Sequence, residues 1–420
     1  MSDPVSFFRE VAAAYPRCFW LDGGGAREWS GRRSVVGWLG DDDTSITYSA
    51  ARREVTRHAG GRSEVVGDDV FAVLEAELAA GSPEDQWVGY AGYACRPDLP
   101  AAVGGELPDA VWMRPADVRY FDHGLLRGSL RLSPVATPDK RRNPRSTGDP
   151  APASYRAGFD EVQEQLRAGN TYEVNLTYRI EAASAADPVA AYLRLRELNP
   201  APYAGFVQHD VPGARGWLLS SSPERYALIT ADRTIETKPI KGTTPRGATA
   251  AEDEAQRARL AADPRFRAEN LMIVDLLRND LSMVCRPGTV AVPTLMDVET
   301  YPSVHQLVST VRGRLRDDVT TVGALRALFP AGSMTGAPKL RTMQVIADVE
   351  NTPRGPYAGA FGWISADGRA DLGVVIRSLA TTGEGRYLLG TGGGITVRSE
   401  TGEEYAESRW KAARLLAALE

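Results

Sequence analysis

The chain is predicted to fold as an α+β protein, with large antiparallel β-sheets packed against helices. Three observations predict it. Strand-like runs come in hairpins and blocks rather than in strict strand–helix–strand alternation. The sequence contains no internal repeat. At 420 residues, with 43% hydrophobic and 25% charged residues, it has an ordinary globular composition and is long enough for a large core.

Phe7 to Tyr15 is predicted to be helical. Cys18 to Asp22, Ser34 to Leu39 and Ser45 to Tyr48 read as strands between Gly-rich or acidic turns. Val70 to Ala80 has helical periodicity, and Trp87 to Tyr93 reads as a strand whose small residues admit another backbone. Val111 to Asp122 and Leu125 to Leu132 are expected to form a hairpin around His123-Gly124. Prolines and Lys140-Arg141-Arg142 then mark a flexible linker over 136–153, between an N-terminal region (1–135) and a C-terminal region (154–420). Beyond it, helices are predicted over Tyr155 to Ala168, Pro188 to Leu198, Ala250 to Ala262, Arg267 to Leu281, Asp318 to Phe329, Leu340 to Glu350 and Glu403 to Leu419. Strands are predicted over Thr171 to Ile180, Tyr226 to Thr230, Thr234 to Thr237, Phe361 to Ser365, Asp371 to Leu379 and Arg386 to Leu389.

The net charge of −5 argues against a nucleic-acid binder driven by phosphate neutralisation. No apolar run approaches a membrane span, and Met1 to Glu10 lacks a basic start followed by an apolar stretch. Cys18, Cys95 and Cys285 are odd in number and far apart, which fits a reducing cytoplasm. With four scattered histidines, any metal would be a hard ion held by carboxylates.

The segment Thr237 to Gly247 holds Lys241 between Ile240 and Gly242. Its prolines fix φ and its glycines permit close backbone approach. Burial beside apolar neighbours would depress the lysine pKa and make the amine a nucleophile. Taken by itself, Lys241 reads more readily as a solvated surface lysine. Glu404 and Glu407, three apart on the closing helix, project from one face. If that helix start meets the one carrying Glu269, three carboxylates converge and suit Mg²⁺. Glutamates in first helical turns otherwise complement the helix dipole. The run Gly390 to Gly394, a Gly-rich turn after a strand, offers backbone N–H groups to an anion, as does Ser333 to Lys339 before a helix. Arg377 is a cation in an apolar strand and calls for a carboxylate partner. His305 reads either as catalytic or as hydrogen-bonded within the fold.

Pro-Ile-Lys-Gly-Thr (239–243), Ser-Pro-Glu-Arg-Tyr (222–226), the run 268–280, Ser-Met-Thr-Gly-Ala-Pro-Lys (333–339), Arg-Gly-Pro-Tyr-Ala-Gly (354–359) and the Gly-Gly-Gly-Ile and Glu-Tyr-Ala-Glu-Ser ending resemble the chorismate-utilising enzymes. The group most similar is that of aminodeoxychorismate synthase component I. The resemblance implies an anthranilate synthase component I-like sandwich in which chorismate sits on Mg²⁺ held by Glu269 and Glu407, with Glu404 beside them. It places Arg377, Tyr357, Lys411 and the N–H groups of Gly392, Gly393 and Gly394 on the substrate, with Gly242, Thr243 and Thr335 lining the pocket. Lys241 would be the nucleophile and Glu224 the general acid.

Anthranilate synthases carry Ala at the Lys241 position. Isochorismate and salicylate enzymes place a water-activating Lys where this chain has Glu173, so water addition is not expected. Two departures stand out: Phe266 where relatives often have an acid, and Gly23 where some carry a tryptophan-binding serine. No glutaminase module is expected in the chain, so ammonia would come from a separate glutamine amidotransferase subunit. The product would serve folate or a secondary metabolite. Anthranilate synthesis, or a non-catalytic chorismate-binding subunit, are the alternatives.

Overall fold

Alternating apolar positions form the strands, and amphipathic helices cover the outer faces. The computed structural model describes residues 3–23, 33–123, 150–301 and 304–420. In chain order the first part comprises α1 (Pro4–Ala14), β1 (Arg17–Asp22), β2 (Arg33–Leu39), β3 (Ser45–Ser49), β4 (Glu54–Ala59), β5 (Arg62–Gly67), α2 (Val70–Ala80), β6 (Gln86–Ala91), β7 (Ala110–Met113) and β8 (Asp117–Asp122). Then follow α3 (Ala153–Arg167), β9 (Glu173–Ala183), α4 (Pro188–Leu198), β10 (Tyr203–His209), β11 (Gly216–Ser222), β12 (Arg225–Ile229), β13 (Thr234–Lys238) and β14 (Ile240–Pro245). The remainder is α5 (Ala250–Ala262), α6 (Pro264–Val284), β15 (Ala291–Thr300), β16 (Val304–Arg314), α7 (Thr321–Leu328), β17 (Gly336–Ala337), α8 (Lys339–Val349), β18 (Ala360–Ser365), β19 (Ala370–Val374), β20 (Ser378–Thr381), β21 (Arg386–Ile395) and α9 (Thr401–Ala417).

Two antiparallel sheets result. One has nine strands in the order β17-β9-β21-β20-β11-β10-β1-β2-β8. The other has twelve, in the order β14-β16-β13-β12-β19-β18-β6-β7-β3-β4-β5, with β15 also paired to β16. The sheets face one another across Phe19, Val88, Tyr90, Val207, Leu218 and Phe361. Outside the first sheet, α1, α4 and α9 bury Phe8, Tyr192 and Leu415. Outside the second, α2, α6 and α7 bury Phe71, Leu277 and Leu325. This is the α+β sandwich expected, and each sheet joins a block of strands from before residue 135 to a block from after it, at β1–β10 in one and β6–β18 in the other. No helix among the described residues is long and apolar enough to cross a membrane.

Four sequence expectations change. The run expected as one strand over Val111 to Asp122 is two, β7 and β8, and Arg114 to Ala116 carry the chain from one sheet to the other. The strand expected over Asp371 to Leu379 is two, β19 and β20, in different sheets. The break falls at Arg377, whose φ of 49° is left-handed and cannot continue a strand. The glycines 390–394 are the interior of β21, paired along their length with β9, rather than a turn. Helix α6 starts at Pro264 under an Asp263 cap, so Glu269 lies in its second turn. The expected strand Leu125 to Leu132, and 136–149 of the expected linker, lie outside the described residues.

Candidate active site

Strand β14 pairs with β16 through Ile240–Val308 and Thr243–Gln306, so two residues of one strand face one of the other. The extra residue is a bulge, which re-aims a side chain. Gly242 takes φ 91° there, and a Cβ would stand 2.8 Å from the Phe266 ring. Phe266, the departure noted in the sequence, thus packs on bare backbone. The bulge turns Lys241 into a cavity of about 140 Å³, a size for a compact small molecule rather than a polymer. Four carboxylates (Glu224, Glu269, Glu404, Glu407) and four cations (Lys241, Arg265, Arg377, Lys411) are among the lining side chains.

Lys241 is 11% exposed at its side chain, and its amine contacts the carboxylate of Glu173 at the start of β9. The expected depression of its pKa is not found. Burial does pull the ammonium down, but Glu173, Glu269 and Glu224 more than reverse it, and the pKa is raised. In the resting site the amine is protonated.

The helix starts of α6 and α9 meet as expected, bringing Glu269, Glu404 and Glu407 to one cavity wall. Arg265 lies between them, its Nε 3.0 Å from Glu269 and its Nη2 2.5 Å from Glu404. Burial raises the pKa of Glu269 and of Glu404, whereas Lys411 lowers that of Glu407. Among the described residues no three acidic, His or Cys side chains stand close enough to hold a metal as placed. The donor chemistry nevertheless suits a hard cation: all are carboxylates, and a guanidinium already sits at their centre. A metal there requires Arg265 to turn away.

Glu224 precedes β12 and is 5% exposed. Burial pushes its carboxyl up to about 7, against Ser333 and the cations Lys241, Arg377 and Lys411. It therefore keeps its proton where an ordinary glutamic acid has lost it. Arg377 is held at the break between β19 and β20, and burial, with Arg414 nearby, lowers its pKa to about 10. Tyr357 lines the cavity under the Arg179 guanidinium, 4.9 Å above its ring, and burial pushes its phenol to about 12, so its proton stays available. The Lys411 amine bridges Glu407 at 3.0 Å and the Gly392 carbonyl at 2.9 Å. Gly392, Gly393, Gly394, Gly242 and Thr243 all line the cavity.

Two expected residues do not. Thr335 is fully buried and turns its hydroxyl to the Gly332 carbonyl at 3.1 Å, so Ser333 and Met334 line the wall instead. His305 sits 3.0 Å from Asp253 and 2.9 Å from Thr300, tying β16 to α5 and β15. Alternation along a strand sends its neighbour Gln306 the opposite way, into the cavity. Gln306 is 1% exposed, and neither its amide nitrogen nor its oxygen has a hydrogen-bond partner. Sequence reasoning missed it because β16 was not recognised as a strand; Arg265 lay just ahead of the helix start expected at Arg267, and Asn175 lay in an expected strand where no motif singled it out.

A family model described as chorismate binding enzyme matches residues 16–417. Aminodeoxychorismate synthase of Streptomyces pristinaespiralis is 42% identical over 99% of this chain and 64% of its own length. Aminodeoxychorismate synthase component 1 of Klebsiella aerogenes is 43% identical over 63% of this chain and 58% of its own. The chain thus spans less than two thirds of either relative. Among solved structures, anthranilate synthase component I from Streptococcus pneumoniae TIGR4 superposes with a TM-score of 0.73 at 26% identity, covering 92% of each chain.

Proposed function

The chain belongs to the family of chorismate binding enzymes, and from that premise we propose that it aminates chorismate with ammonia to give 4-amino-4-deoxychorismate. One observation carries the reading. A lysine amine on a strand bulge shares a charged cavity with a carboxyl whose pKa burial raises to about 7. These are the nucleophile and the acid that an allylic displacement needs.

The residues then divide the work. Arg377, Tyr357 and the N–H groups of Gly392 and Gly394, which alternation turns away from β9, hold the two substrate carboxylates. The unpartnered Gln306 amide turns to the substrate, since a buried amide left alone is costly. Glu224 gives its proton to the departing 4-hydroxyl while the Lys241 amine adds at C2, and ammonia then displaces the lysine by attack at C4. Mg²⁺ held by Glu269 and Glu407, with Glu404 beside them, neutralises substrate carboxylate charge and orients the ring when bound. Ammonia is supplied by a separate glutamine-hydrolysing subunit, and free ammonia serves in its absence.

The test is purified protein with chorismate, Mg²⁺ and ammonium, with products identified by mass spectrometry. The 4-amino product is expected. Lys241→Ala is expected to lower its formation roughly 1,000-fold or more. Fluorescent anthranilate as the product, or undiminished amination by the variant, would overturn the reading.

A further inference from the structure

We propose that Glu173 is the proton acceptor that converts Lys241 from an ammonium ion into a nucleophile, an assignment that rests on the reaction proposed above. The Lys241 amine touches Glu173 through one carboxylate oxygen, Oε1. The Glu173 side chain is 1% exposed, so water is a poor alternative base at this spot. Its other oxygen, Oε2, is buried without a hydrogen-bond partner and keeps its acceptor capacity free. Glu173 is not part of the cavity wall but backs the amine, leaving the front of the nitrogen to the substrate. The space for the pair is kept open by Gly394, where a Cβ would collide with both the carboxylate and the amine.

The other charged groups facing Lys241 are Glu269 from α6, Glu224 ahead of β12 and Glu407 from α9. All are acidic and hold the ammonium form, as does Glu173. None of the three makes an ion pair with the amine among the described residues, and Glu224 has its own proton to give. An ammonium so held cannot attack carbon, and the carboxylate in contact is the group placed to take its proton.

The step balances without any further reagent. A proton passes from Nζ of Lys241 to Glu173. The freed lone pair bonds to C2, both double bonds of the ring diene shift by one position, and the C4–O bond breaks with the Glu224 proton leaving as water. Ammonia bonds to C4, both double bonds shift back, and the C2–N pair returns to lysine. Glu173 then gives its proton back to the amine, and the product ammonium reprotonates Glu224.

The experiment compares wild type with Glu173→Gln and Glu173→Asp, in chorismate amination with saturating ammonium from pH 6 to pH 9. Glu173→Gln is expected to lower kcat about 100-fold at pH 7 with KM for chorismate within about threefold. Its rate relative to wild type should climb with pH as hydroxide replaces the lost base. Glu173→Asp, which keeps a carboxylate, should retain a measurable part of the rate and the wild-type profile. A Glu173→Gln rate within threefold of wild type, or a deficit that does not change with pH, overturns the assignment. Should Glu173→Gln fail to fold, the aspartate variant decides: a pH-dependent deficit of the kind predicted for Gln contradicts the proposal, and a wild-type profile supports it. Wild-type turnover separates the two readings. Its absence sinks the reaction itself, whereas normal wild-type turnover with an unaltered Glu173→Gln profile sinks only the role of Glu173.

Discussion

Glu224 shows what one side chain contributes that its neighbours cannot. A carboxyl pushed up to about 7 by burial is still about half protonated at neutral pH, where an ordinary glutamic acid is almost wholly ionised. The working form is the protonated one, so kcat/KM should be level below pH 7 and fall about tenfold per unit above it. Glu224→Gln should remove that limb and lower kcat roughly 100- to 1,000-fold, measured by initial rates across the same pH range. A limb that persists in the variant would assign it to another group. That Glu224 and Lys241 would line one cavity was legible in the motifs that carry the family resemblance. The charge state of Lys241 was not, because it is set by Glu173, 68 positions away in the chain. Local sequence favoured a solvated lysine, held burial with a lowered pKa as the alternative, and was silent on the contact that raises it.

Among the elements, β21 carries the clearest lesson. Five residues that read as a Gly-rich turn are strand, because β9 pairs with every one of them. Four of them are glycine, and at two of these the lack of a side chain follows from what crosses them: the Tyr357 ring lies where a Cβ of Gly390 would be, and the Glu173–Lys241 pair where that of Gly394 would be. Gly394→Ala is therefore expected to destabilise the fold by about 1–3 kcal/mol through overpacking, and to depress turnover by dislodging the lysine. Gly402→Ala, in α9 with nothing within 4 Å of the added methyl, is the control and should be neutral or stabilising by up to about 1 kcal/mol. Urea midpoints and kcat, read together, check both. Equal stability of the two variants would mean that β21 has room the structure does not show. Helices with strong caps, such as α2, α4 and α5, were placed to the residue, since Asp69, Asp187 and Thr249 signal their own starts. Strands β15 and β16 escaped because the exposed positions of β15 include Ala291, Pro293 and Leu295, and the almost wholly buried β16 includes His305, Gln306, Ser309 and Thr310, so in neither does residue polarity follow exposure. With β16 unseen, the alternation that sends Gln306 inward and His305 outward could not be read.

At the scale of the molecule, the composition shift near residue 135 marks a boundary in the chain and not in the sheets. Strand β1 is bonded on one side to β2 and on the other to β10, and β6 is bonded to β7 and to β18. Removing residues 1–135 would strip the edge from β10 over six residues and from β18 over six more. It would also expose Val207, Leu218 and Phe361 in the layer between the sheets. Exposed apolar edges of this length template aggregation. A fragment of residues 154–420 is therefore expected to be insoluble or to lack a cooperative thermal transition, although it holds every candidate site residue. Co-expression with residues 1–135 should restore a soluble complex that unfolds as one unit, followed by gel filtration and circular dichroism. A fragment 154–420 that unfolds cooperatively by itself and turns over chorismate would show that the site needs only its own half of the sheets. The pairing that argues otherwise joins Phe19 to Val207, positions too distant in sequence for any local pattern to connect.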